Sequence, residues 1–164
     1  MQPCLQPEPV SEAAWAPFGW IPVADTDVRD GAHHLEFTLD DAHLNVIGHE
    51  RDTLRRTPRG VWCDELFRHR THTQALVVLD HRSVIVVAPP EASPEDLSKG
   101  GEVRAFALRP LEVIVLHRST WHWGPYPLHA PAVRLLNVQG ARYREDNARV
   151  DLRARGASLL VSTG

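Results

Sequence analysis

Short apolar runs recur along this chain, separated by turn residues, and no stretch carries the apolar period of a long helix. Leu35–Leu39 (LEFTL) and His43–Ile47 (HLNVI) alternate with period two, with Asp40 and Asp41 as a turn between them. Ile21–Ala24, Val61–Leu66, Leu76–Leu79, Val84–Ala88, Val103–Leu108, Val113–His117, Ala132–Val138 and Leu159–Val161 continue the series. A strand turns successive side chains to opposite faces, so alternation predicts half-buried strands and unbroken apolar runs predict fully buried ones. About eight to ten short strands at regular spacing must close their edges or stack two sheets. A parallel α/β sheet is excluded, because it needs crossover helices of about a dozen residues or more that this chain lacks. The expected fold class is all-β, an antiparallel β-barrel or jelly roll with a few short helical turns.

The helical turns are marked by their caps. Ser11 before Glu12-Ala13-Ala14 is placed as an N-cap, and Pro17 and Gly19 stop that turn. Ser93 followed by Pro94-Glu95-Asp96 begins a second turn, with proline at its first position. Residues 50–59 are highly charged and read as a loop or short helix. Residues 1–10 are rich in proline and read as an extended N-terminal arm. No repeat, low-complexity segment or linker divides the chain, so residues 1–164 are expected to form a single domain with a sizeable core.

Bulk properties narrow the function. The net charge is −3 with both signs interleaved, which leaves no nucleic-acid footprint. Lys99 is the only lysine among 18 basic residues, and arginines beside histidines suit a small carboxylate, because the guanidinium fork matches carboxylate geometry. No window approaches the roughly 18 apolar residues of a membrane helix, and the first residues lack the basic and apolar regions of a signal peptide. Cys4 and Cys63 form no CxxC pair, which favours a reduced, cytoplasmic protein, although a disulfide between them stays open. Cys63 reads as a buried structural thiol rather than a nucleophile. No GxSxG elbow, P-loop or GxGxxG occurs.

Two stretches concentrate chemistry. Leu66–Pro90 (LFRHRTHTQALVVLDHRSVIVVAPP) opens with Arg68, His69, Arg70, His72 and Gln74 and continues as two apolar strands around the turn Asp80–Ser83, read as a hairpin. In an extended segment Phe67 and His69 share one face, and Arg68, His72 and Gln74 the other. His69 and Gln74 reach one site only if a turn or bulge intervenes. Val113–Gly124 (VIVLHRSTWHWG) repeats the design, an apolar strand delivering His117, Arg118, Trp121 and His122 to its end. Aromatics around a histidine make a half-dry pocket, where imidazole becomes a usable acid or base. The two stretches are expected to face each other across one barrel and share one site. His33 and His34 sit in a polar, turn-like segment and read as solvated.

These phrases carry a family resemblance. Pro7–Gly19 (PEPVSEAAWAPFG), Phe67–Leu76 (FRHRTHTQAL), Val86–Pro90 (VVAPP), His117–Trp123 (HRSTWHW) and Asp146-Asn147 with Val150 and Leu152 occur in the order in which similar phrases occur in ureidoglycolate lyases. The sequence resembles that family, cupin-fold enzymes of allantoin catabolism within purine metabolism, from roughly Pro7 to Leu152. The resemblance implies a cupin barrel, a homodimer, and cleavage of ureidoglycolate to glyoxylate and urea. Two positions depart from it: Phe67 stands where the family has Glu, and Trp123 where it has a second His. Overlaying the general cupin metal pattern gives Phe67, His69, Gln74 and His122. The metal set would then be His69, Gln74 and His122, two imidazoles and an amide, a poor set for a divalent cation; His72 or His117 would complete a different one.

On this resemblance His69 and His122 are the catalytic pair, one taking the substrate's hydroxyl proton and the other protonating the departing nitrogen. Arg68 would hold the substrate carboxylate, Gln74 and His117 would orient the ureido group, and Trp121 would form an apolar wall. Phe67 and Trp123 also admit a divergent cupin enzyme that acts on a more apolar small carboxylate in a biosynthetic pathway. A non-catalytic cupin that binds a small carboxylate is the third reading.

Overall fold

In the strand Ser83–Ala88 all six residues are buried, because this strand feeds two cores at once. The computed structural model describes residues 4–164. Its strands form three sheets. The central one has six strands in the order Ala148–Asp151, Glu65–Arg68, Trp121–Pro127, Ser83–Ala88, Arg104–Leu108 and Glu8–Pro9. On one side lies a five-stranded sheet of Gly19–Trp20, Val113–Leu116, Gln74–Val78, Ala132–Gly140 and Ala42–Glu50. On the other lies a four-stranded sheet of Cys4–Leu5, Leu159–Ser162, Gly60–Cys63 and Arg56–Thr57. Ile85 and Val87 join Leu76, Val78, Phe106, Ile114 and Leu135 in the core facing the five-stranded sheet. Val84, Val86 and Ala88 join Cys63, Trp121, Trp123, Leu159 and Val161 in the core facing the four-stranded one. A strand buried on both faces reads as an unbroken apolar run, as VIVVA does. Each fully buried Leu or Val contributes about 1.5–3 kcal/mol.

The all-β expectation holds as a jelly roll of three sheets rather than one closed barrel. Leu76–Leu79 and Val84–Ala88 are not a hairpin. Gln74–Val78 pairs with Val113–Leu116 and Ala132–Gly140, whereas Ser83–Ala88 pairs with Arg104–Leu108 and Trp121–Pro127. The turn between them is a corner from one sheet to the next. Asp80 pins it, accepting from Arg134 N at 3.0 Å and Arg134 Nε at 2.8 Å. Leu35–Leu39 shrinks to a bridge between Phe37 and His72, and Ile21–Ala24 forms no strand, since pairing there ends at Trp20.

Both helical turns form where their caps stand. Ser11 Oγ accepts from Ala14 N at the start of Glu12–Trp15, and a reciprocal Ser93–Asp96 capping box opens Pro94–Ser98. The described part of the N-terminal arm is extended and stitched by parallel pairs to Leu159–Ser162 and Arg104–Leu108; residues 1–3 lie outside the described residues. Cys4 and Cys63 are free, and burial pushes the Cys63 thiol well above its ordinary range, which leaves it inert. Among the described residues no helix is long and apolar enough to cross a membrane.

Candidate active site

The site lies where the six-stranded and five-stranded sheets diverge, at the end of the core they share. Pairing of Glu65–Arg68 with Trp121–Pro127 puts Phe67 directly opposite His122. His122 is also opposite Val87, whose side chain belongs to that core, so His122 points between the two sheets. The strand containing Phe67 stops at Arg68, bends through Arg70 and Thr71, and resumes at Gln74. This is the irregularity that parity demanded. It lets His69 and Gln74 face the same interior.

Three imidazoles meet there. The ring centroids of His69 and His72 are 4.6 Å apart, stacked, and those of His69 and His122 are 5.4 Å apart, tilted. Each Nδ1 lies against a backbone carbonyl: His69 against Asp146 O at 3.1 Å, His72 against Thr73 O at 3.0 Å, His122 against Thr120 O at 3.1 Å. A carbonyl only accepts, so each neutral ring carries its proton on Nδ1 and keeps a lone pair on Nε2. Burial, reinforced by His122 and His72, pushes the His69 pKa down to about 3. Burial likewise pushes His122 down to about 4, with His72 and His49 adding to it against the pull of the Thr120 carbonyl. Both are therefore neutral near pH 7, which corrects the expectation of one histidine as base and the other as a ready acid: burial leaves neither ring protonated at rest. His69 and His122 remain 8% exposed and Gln74 7%, so the cluster meets solvent at its mouth.

The remaining sequence-derived residues do not gather here. Arg68 and Trp121 occupy the opposite face of the six-stranded sheet, where the guanidinium lies 4.2 Å from the Trp121 ring centroid and donates from Nη1 to Pro90 O at 3.1 Å. His117 and Arg118 line a separate open cavity of about 390 Å³ with Trp20, His33, His34 and Glu36. In it His117 packs on Trp20 at 5.5 Å and Arg118 pairs with Glu36 at 2.7 Å. The cause is local: Val113–Leu116 belongs to one sheet and Trp121–Pro127 to the other, so the turn between them parts His117 from His122. His33 and His34 are exposed, as their polar segment predicts, and His33 also stacks on Trp20 at 5.2 Å.

Sequence reasoning missed Asp146 as a site residue. Its Oδ2 accepts from Thr71 N at 2.7 Å and from Thr71 Oγ1 at 2.6 Å. His69, His72 and Asp146 bring ligand atoms within 4.8 Å of one another, a grouping compatible with a divalent metal. Two imidazoles and a carboxylate are a sounder donor set than the expected His69, Gln74 and His122. The only sequence sign of it was the Asp146-Asn147 phrase.

An all-β jelly roll with a histidine cluster between two of its sheets defines a cupin-like protein. The family model described as ureidoglycolate lyase matches residues 2–155, and the chain belongs to that family. No curated protein matches the sequence. Solved structures that resemble it include the L-ribose isomerase of Cellulomonas parahominis with no ligand, at 19% identity, TM-score 0.41, and 62% of this chain against 58% of that one. They also include the dTDP sugar isomerase of Desulfovibrio desulfuricans G20, at 12% identity, TM-score 0.49, and 86% of this chain against 90% of that one. This chain thus spans little more than half the length of the ribose isomerase.

Proposed function

We propose that this protein is a carbon–nitrogen lyase that cleaves ureidoglycolate, or a close carbinolamide acid, to glyoxylate and urea. The observation that carries this reading is the His69–His122 pair, two imidazoles 5.4 Å apart with their Nδ1–H groups committed to backbone, in a member of the ureidoglycolate lyase family. The substrate carries a hydroxyl, a carboxylate and a ureido nitrogen on one carbon. As the C–N bond breaks, the hydroxyl loses a proton to become the carbonyl, and the departing nitrogen gains one. No net proton is exchanged. With both rings neutral, one Nε2 takes the hydroxyl proton, and the imidazolium so formed returns it to the nitrogen. The second imidazole stays neutral and accepts a hydrogen bond from the substrate.

Gln74 is the polar side chain left for the ureido end. Arg68 lies on the far face of the sheet, so the carboxylate requires another partner. His69, His72 and Asp146 would hold a divalent cation, which when bound would supply positive charge and Lewis acidity at that point; it would occupy the Nε2 lone pairs of His69 and His72 and leave His122 alone as the proton carrier. The homodimer finds support on the outer face of the five-stranded sheet, where Leu44 is 62% and Val46 57% exposed. Phe67, apolar and opposite His122, favours one second reading, a related cupin enzyme for a more apolar small carboxylate.

The test is steady-state urea release from ureidoglycolate by the wild type, His69→Ala and His122→Ala. Removing an acid–base imidazole is expected to cost about a hundredfold or more. Near wild-type rates in both variants would sink the reading.

A further inference from the structure

Three side-chain acceptors crowd against Gln139 and Gly140, and none receives a hydrogen bond from the chain: His72 Nε2, Gln74 Oε1 and Asp40 Oδ2, all buried. His72 Nδ1 lies 3.0 Å from Thr73 O, so in the neutral ring Nδ1 carries the proton and Nε2 the lone pair. Gln74 stands at the inner end of a run of side-chain amides. Asn137 Nδ2 donates to Asn45 Oδ1 at 2.8 Å, which turns Asn137 Oδ1 toward Gln74. Gln74 Nε2 donates to that oxygen at 2.8 Å and to Gln139 Oε1 at 3.4 Å, which leaves its own oxygen aimed away. His72 and Asp40 both abut Gly140: a Cβ there would lie 2.8 Å from His72 Cδ2 and 3.4 Å from Asp40 Oδ1. Only glycine lets the His72 ring lie so close to this strand.

We propose that His72, with Gln74 and Asp40, forms a subsite that recognises the N–H-rich ureido end of the substrate. This rests on the lyase reading above and names the residues that read the leaving group. Buried acceptors require donors. A ureido group carries N–H bonds on both nitrogens, whereas the carboxylate and the carbonyl being formed offer only lone pairs. The ureido end therefore points to His72, Gln74 and Asp40, and the carbinol carbon to His69 and His122. Stacking of His72 on His69 at 4.6 Å places the two regions next to each other, as a nitrogen bonded to the reacting carbon requires. This role and that of cation ligand are mutually exclusive for His72 Nε2.

The experiment compares two inert ligands of similar shape, N-carbamoylglycine and N-acetylglycine, which differ by a terminal NH2 in place of CH3. Intact protein is titrated calorimetrically with chelator present. The wild type is expected to bind the carbamoyl ligand at least about tenfold more tightly, because a site built for N–H donors rejects the analogue that lacks them. His72→Phe and Gln74→Leu should bring that ratio close to one while leaving N-acetylglycine affinity within about threefold. Gly140→Ala should do the same by displacing the His72 ring. Equal affinities in the wild type, a preference that survives in His72→Phe, or one that appears only with added divalent cation would overturn the proposal. Failure to bind either ligand in a protein that releases urea would also overturn it and leave the lyase reading standing. A preference without urea release would keep the subsite and remove the reaction.

Discussion

Phe67 and His122 stand directly opposite each other across two antiparallel strands. Side chains so paired lie within about 5.5 Å at Cβ and share a face. The phenyl ring therefore helps keep water from an imidazole whose pKa is already pushed down to about 4, chiefly by burial. A carboxylate at this position would act in the opposite sense, since a nearby negative charge favours the protonated ring. Phe67→Glu is accordingly expected to raise the His122 pKa by at least about one unit. The imidazole proton signals in an NMR titration read this directly, and an unmoved His122 would show that the two side chains do not interact.

The same depressed pKa values make stability depend on pH. His69 and His122 take up a proton near pH 6.5 when unfolded, but only near 3 and 4 when folded. Between pH 6.5 and 4 the unfolded chain therefore binds more protons, and stability falls as pH falls. At pH 5 the loss relative to pH 7.5 is roughly 2 kcal/mol per histidine. Urea denaturation at the two pH values, repeated on His69→Phe and His122→Phe, should show each variant losing about its own share of that dependence. An equally steep dependence in both variants would place its origin elsewhere.

Much of the fold was legible because burial writes itself into alternation, and the two helical turns because their caps are local. What escaped was which sheet each strand joins. VVLDHRSVIVV looks like a hairpin, yet Asp80 ties its turn to Arg134 on another strand. The site was legible to the same degree. Parity separated Arg68 from Phe67 and His69, and the structure keeps them apart; the bend that unites His69 with Gln74 was required but not encoded in any one residue. His117 was lost at a change of sheet, where Ser119 takes a left-handed backbone with φ of 68°. Asp146 was missed because its partnership with Thr71 and His69 spans half the chain.

Asp146 staples the bend that presents His69. Its carboxylate holds Thr71 through two hydrogen bonds, and its carbonyl holds the His69 ring. Burial pushes its carboxyl upward, but the hydrogen bonds from Thr71 and the Arg70 backbone, with His69 nearby, together hold it below the ordinary carboxylate range. Asp146→Ala leaves Thr71 N without its acceptor and is expected to cost about 1–3 kcal/mol in chemical denaturation. Urea release should fall with it, because the bend that carries His69 slackens even though the backbone carbonyl against the ring remains. Asp146→Asn keeps one acceptor oxygen and should lie between the two. Wild-type stability in Asp146→Ala would mean the bend is held by other contacts.

The outer face of the five-stranded sheet carries two apolar rows that run across four strands. Leu44, Val138 and Ala75 are successive cross-strand neighbours in a row that ends at the buried Val115, and Val46, Leu136, Val77 and Val113 form the second row. Ordinary sheets turn polar residues to solvent on such a face, and a contiguous apolar surface of this kind marks an interface. A flat sheet face can pair with its own copy about a two-fold axis, which suits the homodimer proposed above. Leu44→Glu with Val46→Glu would set charges at one end of both rows. The wild type is expected to sediment as a dimer at micromolar concentration and this double variant as a monomer. His69 and His122 face the other side of the sheet, so their pKa values should stay unchanged in the variant. A wild type that sediments as a monomer would remove the homodimer, and a variant that stays dimeric would move the interface to another surface.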